Sequence, residues 1–542
     1  MKRSVLGTLA LVALLGAPAA GQQWSVDDPV LKRIWEEGTT RSQLYPLAQV
    51  MLDSVGPRLT GTPDAERAQD WLVATFRNFG IDARKEQYGT WAGWRRGTTH
   101  IDLLRPRVRT LEGILLGWSA GTKGRAVQGP VIVLPAFADS VAAFRQWLPS
   151  VKGKFVALDF AQPTCRPDRQ WQESGAPAMG GPGGGPGGFG QAPRGGVEPN
   201  SSFGRMIAER NASRTAWQRR VSLTGLTMNQ LRTALEDAGA LGFLHSNWSN
   251  ETGVNKVFTA NTKRVPALDL SCEDYGLVFR LAERNQGPVI RVAAEGEHIG
   301  EVPIYNVVAE IKGTEKPEEY VLLSAHYDSF DAGSGATDNA TGAVTMLEAL
   351  RMLKQVYPNP KRTILAGFWN SEEQGLNGSR AFVKDHPEIV ERLHAVFNQD
   401  NGTGRVQNIS GQGLLAAGEY FARWFAKLPA DLTREIRLNI PGTPGGGGSD
   451  YAAFVCAGAP GFGLSSLPWD YFTYTWHTNR DTFDKLVFDD LRNNVLLVAM
   501  LTYLAAEDDA LMPRDRRTVG PNGQPINWPQ CQDAMRTGPR TE

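Results

Sequence analysis

The residues that could do chemistry together in this 542-residue chain are histidines and carboxylates that follow apolar segments or glycine-rich turns. Imidazole nitrogens and carboxylate oxygens form a mixed ligand set that suits zinc, and less commonly manganese or cobalt. The chain has only 7 His, so a site built on two of them is selective. In chain order, the candidate residues are His326, Asp328, Asp338, Glu372, Glu373, Asp400 and His477.

Each candidate also has an ordinary structural interpretation. A single His at a strand end is commonly a hydrogen-bonded structural residue, and the pair Glu372-Glu373 could begin a helix near the positive end of its dipole. Asp338-Asn339 could cap the helix that follows it, and Asp400-Asn401-Gly402 has the composition of a turn. The joint arrangement is far less expected by chance, and it is the joint arrangement that supports a metal site.

Two His and three carboxylates are more protein ligands than a single catalytic zinc takes, which is about three plus a water. Two ions about 3.5 to 4 Å apart resolve the excess, because one carboxylate can bridge them while each ion takes one His and one further carboxylate. One acid of the Glu372-Glu373 pair is then left as a general base for the water. The residues alone do not decide which glutamate has which role.

Alternating strands and helices must position these residues. Hydrophobic periodicity predicts strands at 320–325, 363–369 and 394–399, and helices at 343–353 and 488–506. Strands alternating with helices imply a parallel sheet covered on both faces, where sites form at the carboxyl ends of the strands. The candidate acids follow these predicted strands, so we expect them to meet at one edge of the sheet.

The first 300 residues have a different pattern of apolar and turn-forming residues. Thr62-Pro63-Asp64 and the later Gly80 are the start and stop signals of one helix. Short β-like runs follow at 127–160, and a second group of such runs ends near 292. Between them, residues 175–196 are almost entirely Gly, Pro and Ala, which predicts a flexible surface loop because too few apolar side chains are available to fold.

Composition and the N-terminus indicate an exported protein. The 57 Lys+Arg balance 57 Asp+Glu, so no overall charge attracts nucleic acid. Residues 1–21 have a basic start, a short apolar run and small residues, which is typical of a cleaved secretory signal; a membrane anchor is the alternative. We therefore expect a secreted or periplasmic protein without a membrane segment after cleavage. The 4 Cys allow three disulfide pairings, and the sequence does not choose among them.

Five motifs resemble, in order and spacing, those of the di-zinc exopeptidases related to bacterial leucyl aminopeptidase and glutamate carboxypeptidase. Within that family, the early VGPRLTG and the later RPRV are most similar to the plasma glutamate carboxypeptidase type. The resemblance spans roughly residues 30 to 510. The five motifs are SAHYDSFDAGSGATDNATGA, FWNSEEQGLNGS, FNQDNGTG, SDYAAFVCAGAPGF and WHTNRDT.

The resemblance implies a role for each candidate residue. His326 and Asp400 match ligands of one zinc, Glu373 and His477 match ligands of the other, and Asp338 matches the bridging ligand. Glu372 matches the general base, and Asp328 matches the acid that orients His326. Many relatives have a His after the Ser449-Asp450 pair, whereas this chain has Tyr451, so side-chain specificity is not carried over.

The resemblance also implies an architecture. We expect an α/β fold whose mixed, mostly parallel central sheet has helices on both faces, plus an inserted β-rich protease-associated domain. The expected segments are a signal peptide (1–21), the first part of the catalytic domain (22–115), the insertion (116–300), the main catalytic part (301–512) and a C-terminal tail (513–542). Relatives also suggest that the insertion gates access or mediates homodimer formation.

The function implied is a secreted exopeptidase that acts as an aminopeptidase or dipeptidase on peptides. Alternatives on the same fold are a non-enzymatic receptor or scaffold, a single-zinc glutaminyl cyclase and an amidohydrolase. Cys456 is interpreted as a small buried thiol rather than a nucleophile. The other five histidines are interpreted as ordinary surface or core residues: His100, His245, His298, His386 and His394.

Overall fold

The computed structural model of the protein describes residues 27–136, 141–173, 199, 201–445, 447–520 and 522–538. The predicted signal peptide lies outside the described residues, and so does the glycine-rich tract 175–196. All seven candidate site residues are described.

Fifteen α-helices form among the described residues. They are α1 Pro29–Thr40, α2 Leu44–Gln49, α3 Pro63–Asn78, α4 Val141–Trp147, α5 Asp168–Glu173, α6 Ser202–Ser222, α7 Met228–Asp237, α8 Cys272–Glu283, α9 Thr341–Val356, α10 Asn377–Asp385, α11 Pro387–Glu391, α12 Ala417–Phe425, α13 Ala430–Thr433, α14 Tyr451–Cys456 and α15 Phe488–Glu507.

The described residues also form fifteen strands. They are β1 Asp82–Arg105, β2 Arg109–Leu111, β3 Gly113–Leu115, β4 Val127–Val133, β5 Phe155–Ala157, β6 Gly242–His245, β7 Ala267–Leu270, β8 Val289–Ile311, β9 Lys316–His326, β10 Arg362–Trp369, β11 Leu393–Asn398, β12 Val406–Ser410, β13 Arg437–Asn439, β14 Gly461–Ser466 and β15 Thr537–Gly538.

The sheet that carries the site has the order β13-β12-β14-β11-β9-β10-β8, with β1 beside β8. Strands β14, β11, β9 and β10 are parallel, whereas β8 runs antiparallel to β10 and β12 antiparallel to β14. The mixed, mostly parallel sheet expected from the resemblance is therefore confirmed. Strands β9, β10 and β11 overlap the three predicted strands, and every residue of β10 and β11 is buried, as befits parallel strands covered on both faces.

Helices cover both faces of this sheet. On one face, α1, α3, α9 and α15 enclose the largest hydrophobic core, which includes Leu72, Leu347 and Leu497. On the other face, α10 and α14 pack through Phe382 and Phe454. The helix start predicted at Thr62-Pro63-Asp64 is confirmed as the start of α3. The Thr62 Oγ1 caps this helix by accepting a hydrogen bond from the Ala65 N–H. Among the described helices, the buried α15 included, no segment combines the length and apolarity of a bilayer span.

A second sheet region has the order β4-β5-β6-β7-β3; β4 to β7 lie in the predicted insertion, whereas β3 lies just before its predicted start. Strands β4 to β7 are parallel, and helices α4 to α8 accompany them, so this region contains helices as well as strands. It joins the rest of the sheet through β4, which pairs with β8. The long antiparallel pair of β1 and β8, with four register shifts along it, extends from the sheet that carries the site into this region.

Two disulfides join the four cysteines. Cys165 pairs with Cys272 at the start of α8, with a Cα separation of 5.8 Å. Cys456 of α14 pairs with Cys531 of the C-terminal tail, with a Cα separation of 5.1 Å. The interpretation of Cys456 as a free buried thiol is therefore wrong; the sequence could not reveal this because Cys531 lies 75 residues away.

We predict that proteolysis of the unreduced protein followed by mass spectrometry will recover two linked peptide pairs, Cys165 with Cys272 and Cys456 with Cys531. Replacing Cys456 and Cys531 together with Ala should lower the free energy of unfolding by about 2–4 kcal/mol, because the crosslink restricts the unfolded chain. Denaturant titration measures this change. A peptide that links Cys165 to Cys531 would contradict the arrangement.

Candidate metal centre

The carboxyl ends of three adjacent parallel strands bring the candidate residues together. His326 is the last residue of β9 and lies opposite Trp369, the last residue of β10. Glu372 and Glu373 follow β10 by three and four residues, and Asp400 follows β11 by two. Since parallel strands end at the same edge, residues far apart in sequence become neighbours there.

His326 is at the centre of the first group of possible ligands, with Glu372 and Asp400. Its Nε2 lies 3.1 Å from Asp400 Oδ1 and 3.9 Å from Glu372 Oε2. The His326 side chain has no exposed surface.

His477 is at the centre of a second group, with Asp338 and Glu373. Its Nε2 lies 2.8 Å from Glu373 Oε2 and 3.2 Å from Asp338 Oδ2. In each group, one ligand atom per residue can be chosen so that all lie within 4.8 Å of one another.

Asp338 lies between the two groups. Its Oδ2 faces His477, while its Oδ1 lies 3.5 Å from His326 Nε2. The cap interpretation of Asp338-Asn339 holds only for Asn339, whose Oδ1 accepts a hydrogen bond from the Gly342 N–H at the start of α9. Asp338 is thereby left free to face both imidazoles.

Asp328 holds the first group in place without belonging to it. Its Oδ1 lies 3.4 Å from His326 Nδ1, the ring nitrogen that points away from Asp400. Its carboxylate also accepts hydrogen bonds from the backbone N–H groups of Glu372 and Glu373, at 3.2 and 3.4 Å. The Asp328 backbone carbonyl lies closer still to His326 Nδ1, at 3.1 Å. The carbonyl and the carboxylate of one buried residue therefore together orient the His326 ring, and the carboxylate also holds the turn after β10.

The charges of the two groups shift one another's pKa. Burial acts to lower the pKa of His326, but Asp400 and Glu372 outweigh burial and raise it well above the usual value. Burial likewise acts to lower the pKa of His477, but Glu373 and Asp338 outweigh it and raise that pKa to about 9. Burial and the charge of Asp338 raise the pKa of Glu373 to about 7 against the opposing effect of His477. Burial also raises the pKa of Glu372 well above its usual range.

These residues fit a pair of divalent cations. The two groups hold four carboxylates, whose full ionisation would match the charge of two such ions: Asp338, Glu372, Glu373 and Asp400. Glu373 Oε1 is buried and has no hydrogen-bond partner in the described structure, which leaves it available as a ligand. Ionised carboxylates that are buried without nearby cations cost folding free energy, so this set of ligand atoms is stabilised by bound positive charge.

Asp481 supports the candidate site, and the sequence did not single it out. Its two carboxylate oxygens accept hydrogen bonds from the backbone N–H groups of Thr337, at 2.8 Å, and Asp338, at 3.1 Å. It lies four residues after His477 in the WHTNRDT motif, so one segment supplies both an imidazole and the support of Asp338. Burial raises the pKa of Asp481 to about 7.

Arg58 and Asp450 were also missed as contributors. The Arg58 guanidinium is fully buried and donates to the carbonyls of Tyr327, Ser334 and Gly335, so it holds the loop between His326 and Asp338. Asp450 is fully buried, and burial raises its pKa to about 7 although Ser379 acts to lower it. Both lie in motifs that the sequence had marked, VGPRLTG and SDYAAFVCAGAPGF, but without a role.

The insertion touches the site through His477. The Val257 N–H donates a hydrogen bond of 2.6 Å to the His477 carbonyl, whose residue has a left-handed backbone with φ of 57°. The Phe258 and Phe330 rings pack on the imidazole, with centroid separations of 5.3 and 4.4 Å. An unfavourable backbone conformation of a non-glycine residue persists when neighbours hold it, and here the insertion is that neighbour.

None of the five other histidines joins either group. His245 and His394 are buried, and His394 Nε2 lies 3.1 Å from Asp508. The others lie at or near the surface, where His100 pairs with Asp102 and His386 with Glu86.

Comparison with known proteins gives a consistent result. Residues 306–502 match the profile of Peptidase family M28. The chain is 25% identical over 479 residues to Carboxypeptidase Q of Mus musculus, which covers 88% of each chain.

Solved structures share the fold. A Peptidase M28 precursor from Shewanella amazonensis has a TM-score of 0.61 and 23% identity, with 89% of this chain and 97% of that chain covered. BSAP, a zinc aminopeptidase from Bacillus subtilis, has a TM-score of 0.50 and 18% identity, with 87% and 97% covered. The resemblance that the motifs indicated is thus confirmed.

We predict that zinc stabilises the protein more as the pH rises. Glu373 has a raised pKa of about 7 and His477 one of about 9. A pKa that is higher in the folded than in the unfolded protein stabilises the metal-free protein at low pH. That stabilisation is lost as the pH rises through the folded-state pKa. Zinc needs deprotonated ligands, so it binds better over the same range.

The melting temperature with zinc minus that with chelator should therefore be larger at about pH 8 than at about pH 5.5. Thermal unfolding at both pH values measures the difference. An increment that is equal at the two pH values, or larger at the lower one, would contradict the linkage.

Proposed function

We propose that this metallopeptidase, whose residues 306–502 belong to Peptidase family M28, is a secreted exopeptidase that uses two zinc ions to hydrolyse terminal peptide bonds. Its substrates in this proposal are the amino-terminal bonds of peptides and the single bond of dipeptides. The observation that carries the two-ion proposal is the position of Asp338, which faces His326 with one oxygen and His477 with the other. A carboxylate so placed can bridge two ions.

The ligands divide accordingly. His326 and Asp400 would hold one ion, Glu373 and His477 would hold the other, and Asp338 would be shared. When bound, the ions supply Lewis acidity toward the scissile carbonyl and lower the pKa of a water. The family resemblance supports this division, and the short distances within each group agree with it.

Glu372 is the general base in this proposal. It accepts the proton of the attacking water and then delivers that proton to the leaving amine nitrogen. Burial raises the pKa of its carboxyl well above the usual range, which makes the ionised form a stronger base. Its Oε2 lies 3.9 Å from His326 Nε2, whereas Asp400 Oδ1 lies 3.1 Å away. Glu372 is thus the more distant acid of the first group.

Asp328 acts through other residues. It lies next to His326 Nδ1, so it fixes which ring nitrogen faces the ion and makes the imidazole a better ligand. Its hydrogen bonds to the N–H groups of Glu372 and Glu373 set the relative positions of the base and a ligand.

Export is the proposed localisation. The two disulfides join all four cysteines, and such bonds persist in oxidising compartments. The secretory pattern of residues 1–21 supports the same destination.

The neighbouring glutamates provide a matched pair of variants. Glu372→Gln should retain about two zinc ions per chain and lose activity by about 10²–10⁴-fold, because the base is removed and the ligands are not. Glu373→Gln should lose zinc, because it removes a ligand of the second ion. Metal content by atomic absorption and hydrolysis of aminoacyl and dipeptide substrates give the two readouts.

Three results would contradict the proposal. An active Glu372→Gln enzyme would remove Glu372 from the reaction. One zinc per fully active chain would favour a single-zinc enzyme of the glutaminyl cyclase kind. Bound zinc with no hydrolase activity would favour a receptor or scaffold.

A further inference from the structure

The two imidazoles of the candidate metal centre are held in different ways. His326 Nδ1 lies 3.1 Å from the Asp328 carbonyl and 3.4 Å from the Asp328 carboxylate, so polar groups set the direction of that ring. His477 Nδ1 is buried and has no hydrogen-bond partner among the described residues. A metal-binding His almost always donates a hydrogen bond from its second ring nitrogen, and that bond fixes the ring. The orientation of the His477 ring therefore depends on other contacts.

Aromatic rings surround the His477 imidazole. Trp476 stacks on it with a centroid separation of 4.0 Å, and Phe330 lies at 4.4 Å. Phe258 meets the imidazole edge to face, at 5.3 Å and 84°, and meets Phe330 in the same way at 5.5 Å. Ring pairs have preferred geometries, so these contacts orient the imidazole as well as bury it. Phe258 lies between β6 and β7, so its ring comes from the predicted insertion.

Backbone hydrogen bonds hold the segment that carries Phe258 against the His477 segment. The Val257 N–H donates to the His477 carbonyl at 2.6 Å, and the Asn479 N–H donates to the Asn255 carbonyl at 3.0 Å. The Asn255 N–H donates in turn to Asn479 Oδ1, also at 3.0 Å. The position of the Phe258 ring on the imidazole is thus set by paired backbone segments.

Asn255 ties this segment to the sheet of the predicted insertion. Its Nδ2 donates to both the carbonyl and the Oδ1 of Asp269 in β7, each at 3.1 Å. Asp269 has no exposed surface, and its Oδ2 accepts a hydrogen bond from the Asn247 N–H at 2.8 Å. Asn255 is itself buried. A buried series of hydrogen bonds therefore leads from β7 to the backbone beside His477.

The far end of the His477 segment is held from the other side. The Asp481 carbonyl accepts a hydrogen bond from the Ser334 N–H at 2.9 Å, and its carboxylate accepts from the N–H groups of Thr337 and Asp338. These partners lie in the loop between β9 and α9, outside the predicted insertion. The support of Asp338 by Asp481 is therefore separate from the support of His477 by Phe258.

Resting on the proposed function, we propose that Phe258 is a positioning residue for His477, so that the predicted insertion sets the affinity of the second ligand group for zinc but not that of the first. Without the Phe258 ring, an imidazole that lacks a hydrogen bond at Nδ1 is free to rotate. Its Nε2 is then no longer held toward Glu373 and Asp338, and a ligand that is not held in place binds metal less tightly. His326 keeps its partner Asp328 in either case.

The test measures how tightly the zinc-loaded, full-length protein holds each ion, by competition with a chromophoric chelator. Phe258→Leu keeps an apolar side chain and removes the ring. It should weaken one of the two zinc ions by about 10- to 100-fold, the range typical of residues that orient a metal ligand, and leave the other unchanged. Phe258→Tyr keeps the ring and should keep both affinities.

A double variant identifies the ion that is affected. Glu373→Gln removes a ligand of the second group, so the zinc that it retains belongs to the first group. Adding Phe258→Leu to this variant should leave the affinity for the retained zinc unchanged, because effects at one ion do not add at a site already lost. The same chelator competition gives this affinity.

Two further variants separate positioning from stability. Phe243 of β6 is fully buried in the hydrophobic core of the predicted insertion. Phe243→Leu should lower the free energy of unfolding and leave both zinc affinities unchanged. Asn479→Ala removes the oxygen that accepts the Asn255 N–H, so it loosens the same contact from the His477 side. It should weaken the same ion as Phe258→Leu, and it decides the question if Phe258→Leu does not fold.

Three outcomes would overturn the proposal: a Phe258→Leu protein that holds both ions as tightly as the unmodified protein, one that holds both less tightly to the same extent, and one that weakens the zinc retained in the Glu373→Gln background. Each of them leaves two zinc ions bound to the unmodified chain. Failure of the proposed function would instead appear as a single zinc ion per unmodified chain.

Discussion

The concentration of buried carboxylates at one edge of the sheet is the constraint on which the rest of the structure depends. Four acids and two imidazoles meet where three parallel strands end, and Asp328, Asp450 and Asp481 are buried beside them. Such a cluster is stable only if charge and hydrogen bonds compensate it. Arg58 supplies one buried cation, and backbone N–H groups pair with the carboxylates of Asp328 and Asp481. In the proposed function, zinc would complete the compensation and would link metal binding to stability.

The segment between β6 and β7, which lies in the predicted insertion, packs against the candidate metal centre. The long pair of β1 and β8 joins the two sheet regions, and the Val257 N–H donates a hydrogen bond to the carbonyl of His477, which has a left-handed backbone. The same short segment carries Lys256 and Phe258, which pack on Trp476 and His477. One segment therefore hydrogen-bonds to the backbone of a candidate ligand and also packs side chains on that ligand and its neighbour.

The sequence predicted those parts of the fold that local patterns encode. The strands around residues 320, 365 and 395 and the start of α3 after Thr62 were found where apolar runs and cap residues indicated them. The roles of Asp481 and Arg58 were not predicted, because each forms hydrogen bonds with backbone groups that are far away in sequence. Hydrophobic periodicity contains no information about such contacts. The disulfide partner of Cys456 escaped for the same reason, since 75 residues separate it from Cys531.

The sequence by itself determined the chemistry that is available: two imidazoles and several carboxylates after predicted strands, in motifs that resemble one peptidase family. Only the tertiary structure decided how they are grouped. It places Asp338 between His326 and His477, and it turns Asn339 instead into the cap of α9. It also brings Lys256 next to Trp476, 220 residues along the chain. The physical reason is that residue types and local periodicity are written in the sequence, whereas distances between strand ends and loops arise only when the sheet is assembled and its strands paired.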